Sequence, residues 1–81
     1  MSQPKITMYT RPGCSDSART TEDLQERGLT WTEINIDEDK EANDKVVGWV
    51  GRAATPTLFI GDTMLVEPFA PELDAALAAA G

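Results

Sequence analysis

The sequence predicts an α/β domain over residues 1–81, in the order β-α-β-α-β-β-α, with a four-stranded mixed sheet flanked by three helices. Three observations carry that prediction. Two stretches alternate apolar and polar residues at strand spacing, near residues 5–10 and 30–36. Segments of helical periodicity follow each of them. Two short apolar runs then flank Gly61-Asp62, which signals a hairpin with a two-residue turn.

In chain order, Lys5-Ile6-Thr7-Met8-Tyr9-Thr10 is rich in strand formers and is ended by the turn signal Arg11-Pro12-Gly13. Cys14 follows, and then Ser15-Asp16-Ser17, three good helix-capping residues. A helix is expected from there to Arg27, with Gly28 as its C-terminal stop and a thin apolar face of Ala18 and Leu24. The second strand is Thr30–Ile36. Asp37 or Asp39 can cap the next helix, whose apolar positions are Ala42, Val46, Val47 and Val50, and Gly51-Arg52-Ala53-Ala54 is a loop. Thr57–Ile60 and Thr63–Val66 form the hairpin. Pro71 suits the first turn of a last helix carrying Leu73, Ala76, Leu77 and Ala80 on one face. The first strand, helix and second strand form a crossover unit, so these strands should be parallel and the crossover right-handed. No repeat, linker or low-complexity segment interrupts the order.

Composition bounds the function. Eighty-one residues, 41% hydrophobic and 26% charged, make an ordinary small globular chain rather than a disordered one. Seven basic against fourteen acidic side chains give a net charge of −7, which argues against nucleic acid as a partner. No apolar run reaches the length of a membrane span, and Met1-Ser2-Gln3-Pro4-Lys5 does not read as a signal peptide. A cytoplasmic protein that binds neither membrane nor nucleic acid is the expectation. Histidine is absent, which removes Ser-His and Cys-His catalysis and the commonest metal ligand. The single cysteine excludes an internal disulfide framework and a thiolate zinc cluster, so no metal site is expected.

A lone cysteine is most often a small buried hydrophobe. Cys14, however, falls between the end of a strand and the first turn of a helix, where unpaired N–H groups and the helix dipole favour negative charge. A thiol so placed has its pKa lowered from about 8.5, and the thiolate is the reactive form. Arg11 is expected to add positive charge near the sulfur. Asp16 is expected to work against it, with helix and arginine prevailing. Thr55-Pro56 stands directly before the third strand, where proline can begin a strand but not lie within it. X–Pro bonds are trans by default. A cis bond here would turn the Thr55 backbone outward, free to pair with an extended peptide-like ligand.

Thr10-Arg11-Pro12-Gly13-Cys14-Ser15-Asp16-Ser17, the βαβ unit and Thr55-Pro56-Thr57-Leu58-Phe59-Ile60-Gly61-Asp62 together resemble the glutaredoxin branch of the thioredoxin fold, over Lys5 to Ala80. The resemblance implies that Cys14 is the attacking thiolate, that Arg11 assists thiol binding, and that Thr55-Pro56 is a cis-proline segment lying against the cysteine. It places the thiol-binding surface on Arg11, Asp16, Thr55, Pro56, Val66 and Glu67. Two departures stand out. Ser17 occupies the second position of the family's usual Cys-x-x-Cys, and Leu65-Val66-Glu67-Pro68-Phe69-Ala70-Pro71 replaces the Gly-Gly pair common in glutathione-binding members. That loop is more similar to mycoredoxins and other actinobacterial redoxins, and less closely to the thioredoxin-reductase-dependent redoxins that serve ribonucleotide reductase.

The implied activity is thiol–disulfide exchange in electron transport and cell redox homeostasis, with Cys14 and Ser17 at the catalytic position. With one thiol it must be monothiol exchange on mixed disulfides between proteins and a small thiol. Mycothiol, glutathione and bacillithiol are the candidate thiols, a flavin disulfide reductase is an expected partner, and a monomer the expected state. Ser17 reads as a natural monothiol residue, as an engineered replacement of a resolving cysteine, or as a helix cap in an inactive chain. The alternatives to exchange are an iron–sulfur carrier, two chains each giving one cysteine, and a non-catalytic binding module.

Other residues have plainer readings. Trp31 and Trp49 are expected in the core or partly buried, and Met64 in ordinary packing. Phe69 reads equally as packing or as an apolar lip beside the groove. Glu67 reads equally as an exposed loop carboxylate or as a contact for the thiol's polar end. Asp37–Glu41 reads as a solvated helix start, or as an acidic surface that selects basic partners. An acidic chain disfavours an anionic thiol, unless Arg11 and Arg52 make a local basic spot.

Overall fold

Alternation and punctuation place the elements where the sequence puts them, in a computed structural model that describes residues 3–80. Met1, Ser2 and Gly81, at the ends of the expected domain 1–81, lie outside the described residues. The order is β1 (Ile6–Thr10), α1 (Ser15–Glu26), β2 (Thr32–Asn35), α2 (Lys40–Val50), β3 (Thr57–Ile60), β4 (Thr63–Val66) and α3 (Ala70–Ala80). The sheet runs β2-β1-β3-β4. β1 and β2 are parallel, with Thr7 opposite Thr32, while β3 is antiparallel to both its neighbours.

The two faces of β1 explain the layers. Ile6 and Met8 pack with Leu58 and Ile60 of β3, Leu24 of α1, and Leu73 and Ala76 of α3. Tyr9 points the other way and packs with Ile36, Ala42 and Val46. Helices α1 and α3 therefore cover one face and α2 the other. Each fully buried aliphatic side chain stabilises the fold by roughly 1.5–3 kcal/mol.

Helix ends follow their signals. Asp39, not Asp37, caps α2 by accepting from the Ala42 N–H at 3.0 Å. Gly28 has a φ of 69°, and the Leu29 N–H returns to the Leu24 carbonyl at 3.2 Å, closing α1 with a 6→1 bond. That exit delays β2, which begins at Thr32 rather than Thr30. Upstream of it, the Gln3 side-chain amide takes the place of a strand partner, its Oε1 accepting from the Thr30 N–H at 2.9 Å.

Five expectations about packing are corrected. Ala18 is exposed, and the buried stripe of α1 is Ser17, Thr20 and Leu24, because the helix is phased by the seat of Cys14 and Leu24 rather than by polarity. Val47 of α2 and Ala80 of α3 lie outside their cores. Trp49 is 43% exposed, its indole laid edge-on across Tyr9 and Phe59 with centroids 5.5 and 4.9 Å apart. Met64, on edge strand β4, is exposed as well.

Candidate active site

Cys14 is the N-cap of α1, with extended backbone (φ −83°, ψ 115°) and its carbonyl accepting from the Ala18 N–H at 3.1 Å. Gly13 precedes it at φ 78°, a turn that aims the chain from the end of β1 into the helix. The half-buried side chain is the one free thiol among the described residues.

Thr55 meets it from the segment before β3, which lies at the same end of the sheet as the exit of β1. Its hydroxyl donates to Cys14 Sγ at 3.3 Å, and the thiol donates to the Thr55 carbonyl at 3.4 Å. The Thr55–Pro56 bond is cis, as the resemblance implies. The Thr55 N–H has no partner among the described residues. The Pro56 carbonyl accepts from Glu67 N–H at 2.9 Å, which brings the end of β4, Val66 and Glu67, beside the Thr55-Pro56 segment. Glu67 itself turns the chain at φ 49°.

The thiol is poised for ionisation. Burial pushes the Cys14 pKa up, but the hydroxyls of Ser17 and Thr55 and the N–H groups of Ser17 and Asp16 together hold it below its ordinary 9.0. The buried Ser17 hydroxyl makes no other hydrogen bond, which leaves it to the sulfur. This corrects two expectations. Arg11 does not supply the effect, since its Nε donates to Asp37 Oδ1 at 3.2 Å. Asp16 assists through its N–H, while its carboxylate pairs with Arg19 at 3.0 Å. Short-range donors fixed by the helix outweigh long side chains that find other partners.

Arg19 was not singled out by the sequence, although its i,i+3 spacing from Asp16 was a signal. Its guanidinium lies 4.4 Å from the Phe69 ring centroid, and one N–H donates to the Pro68 carbonyl at 3.4 Å. Phe69, 59% exposed, is thus held as a rim beside the first turns of α1. Arg52 donates to Glu67 Oε2 at 3.0 Å on the other side. No group of three or more His, Cys, Asp or Glu side chains among the described residues is placed to hold a metal ion.

The sequence matches the family profile described as Glutaredoxin over residues 6–65. No curated protein sequence matches it. Among solved structures, a glutaredoxin from Brucella melitensis is 30% identical with a TM-score of 0.77, covering 95% of this chain and 91% of its own. Glutaredoxin grx-1 from Archaeoglobus fulgidus is 26% identical with a TM-score of 0.78, covering 90% and 85%. The glutaredoxin-like NrdH-redoxin from Escherichia coli, described as having a thioredoxin-like activity profile, is 25% identical with a TM-score of 0.81, covering 88% and 92%. The arrangement of sheet and helices is the thioredoxin-like fold of these proteins.

Proposed function

Because this chain belongs to the glutaredoxin family, whose membership and fold suggest a thiol–disulfide oxidoreductase, we propose that it reduces mixed disulfides between proteins and a small thiol by a monothiol route through Cys14. The observation that carries this is the seat of the sulfur, at the N-cap of α1 and bonded to the hydroxyl and carbonyl of Thr55.

The Cys14 thiolate attacks the small-thiol sulfur of a protein mixed disulfide. One S–S bond forms as the other breaks, and the protein thiolate leaves and takes a proton. Cys14 now carries the small thiol. A second small thiolate attacks that sulfur, releasing the small-thiol disulfide and restoring the Cys14 thiolate. Ser17 in the resolving position leaves the protein with no internal second thiol, so the second step is intermolecular. The hydroxyls of Ser17 and Thr55 stabilise the sulfur each time it departs as thiolate.

The small thiol is mycothiol, glutathione or bacillithiol, and a flavin disulfide reductase recycles its disulfide. The Glu67-Pro68-Phe69 loop supports a mycoredoxin-like member, working in the reducing environment of the cytoplasm. The test follows a mixed-disulfide peptide substrate by intact mass. Transient Cys14 adduct and released peptide thiol are expected, and both vanish in Cys14→Ser. Equal peptide release by Cys14→Ser would overturn the proposal.

A further inference from the structure

Three arginines stand close to the site in sequence or through Glu67, and each already forms an ion pair with one of the protein's own acids. Arg11 is paired with Asp37, Arg19 with Asp16, and Arg52 with Glu67. A further candidate is the N-terminus of α3, reached two residues beyond Glu67. There the Phe69 N–H donates to Glu72 Oε1 at 3.1 Å, and Pro71 contributes no N–H at all. A side-chain cation and a helix N-terminal amide are thus both met by the protein's own carboxylates, while the Thr55 N–H stays open.

From this we infer that the groove selects an uncharged small thiol over one bearing carboxylates, with Glu67 and Glu72 as specificity-determining residues. The inference rests on the exchange reading above and names the chemical class of its small thiol. The ion pairs are partly exposed and individually weak, so an incoming carboxylate can displace Glu67 from Arg52. The displaced carboxylate stays tethered beside Pro56, however, because the Glu67 N–H is bonded to the Pro56 carbonyl. The charge of the groove is unchanged by the swap. A hydroxyl-rich or amide-bearing thiol meets no such repulsion, and Glu67 and the free Thr55 N–H can both hydrogen-bond to it.

The experiment uses two thiols differing in one carboxylate, N-acetylcysteine and its amide. Each is reacted at matched thiolate concentration with protein whose Cys14 carries 2-mercaptoethanol, and the release of Cys14 is timed. The amide is expected to be faster with the wild type by about three- to tenfold at low salt. Glu67→Gln, which frees Arg52, and Glu72→Ala, which frees the Phe69 N–H, should each lower that ratio at least about twofold. Asp62→Asn removes the same unit of charge at the β3–β4 turn, at the far end of β3 from Pro56, and should leave the ratio alone. Equal wild-type rates, or a ratio moved no further by either groove variant than by Asp62→Asn, would overturn the inference. Failure of both thiols to release Cys14 would instead sink the exchange reading, and this inference with it.

Discussion

The side chain and the backbone of Thr55 both reach one sulfur: its hydroxyl donates to Cys14 Sγ at 3.3 Å while its carbonyl accepts the thiol proton at 3.4 Å. The two residues are 41 positions apart in the chain, so the contact exists only in the folded protein. Ionisation of the thiol breaks the second bond and strengthens the first.

Removing that donor should therefore raise the thiol pKa. In Thr55→Val the midpoint of thiolate absorbance, followed by ultraviolet titration, moves upward from the wild-type position. Alkylation by iodoacetamide at neutral pH slows several-fold, on the order of one hydrogen bond to a charged group. An unchanged titration would mean that helix amides and Ser17 alone hold the thiolate.

The same shift links the thiol to stability. The Cys14 pKa is lower in the folded protein than in the unfolded chain, so folding is favoured by ionisation. The contribution is fully present above 9.0, is lost as pH falls through the folded-state pKa, and is absent in acid. Denaturation of wild type and Cys14→Ala across that range should show the difference between them growing with pH. A difference that is flat with pH would contradict the lowered value.

Ser17 is buried beside the sulfur, one turn along α1 from Cys14. Ser17→Cys should form an internal disulfide on mild oxidation, read as a loss of 2 mass units by intact mass. That variant should reduce a protein disulfide directly, at a rate at least about tenfold above the single-thiol protein, because the second step becomes intramolecular. Persistence of two free thiols after oxidation would show that the helix holds position 17 out of reach.

Thr20 is fully buried and its hydroxyl has no hydrogen-bond partner. Thr20→Val keeps the shape and removes an unsatisfied polar group, so it should stabilise the fold by about 1 kcal/mol. For a domain of this size the melting temperature should rise by about 4–8 °C. A lower melting temperature would indicate that the hydroxyl is satisfied in solution.

Much of this was legible from local rules. Alternation at Ile6–Thr10, the Gly61-Asp62 turn and the glycine exit of α1 are short-range signals, and they place the sheet and its first helix. The cysteine's seat followed from its position between strand and helix. Where long side chains go was not legible. Arg11 turns to Asp37, 26 residues away, and Arg19 reaches the Pro68 carbonyl 49 away. Those choices depend on which loops the fold brings together. The phase of α1 was misread for a related reason: Ser17 and Thr20 are buried because their face lies between the sulfur and Leu24, and no hydropathy pattern announces that.

The two tryptophans fall on opposite sides of the sheet. Trp31 packs against the cluster under α1 and α3, while Trp49, carried by α2, lies across Tyr9 and Phe59 on the other face. The chain thus carries a separate fluorescent reporter for each half of its interior. Trp31→Phe and Trp49→Phe proteins would watch the two layers melt independently, and coincident transitions would establish that the thiol-bearing layer and the layer behind it unfold as one cooperative unit.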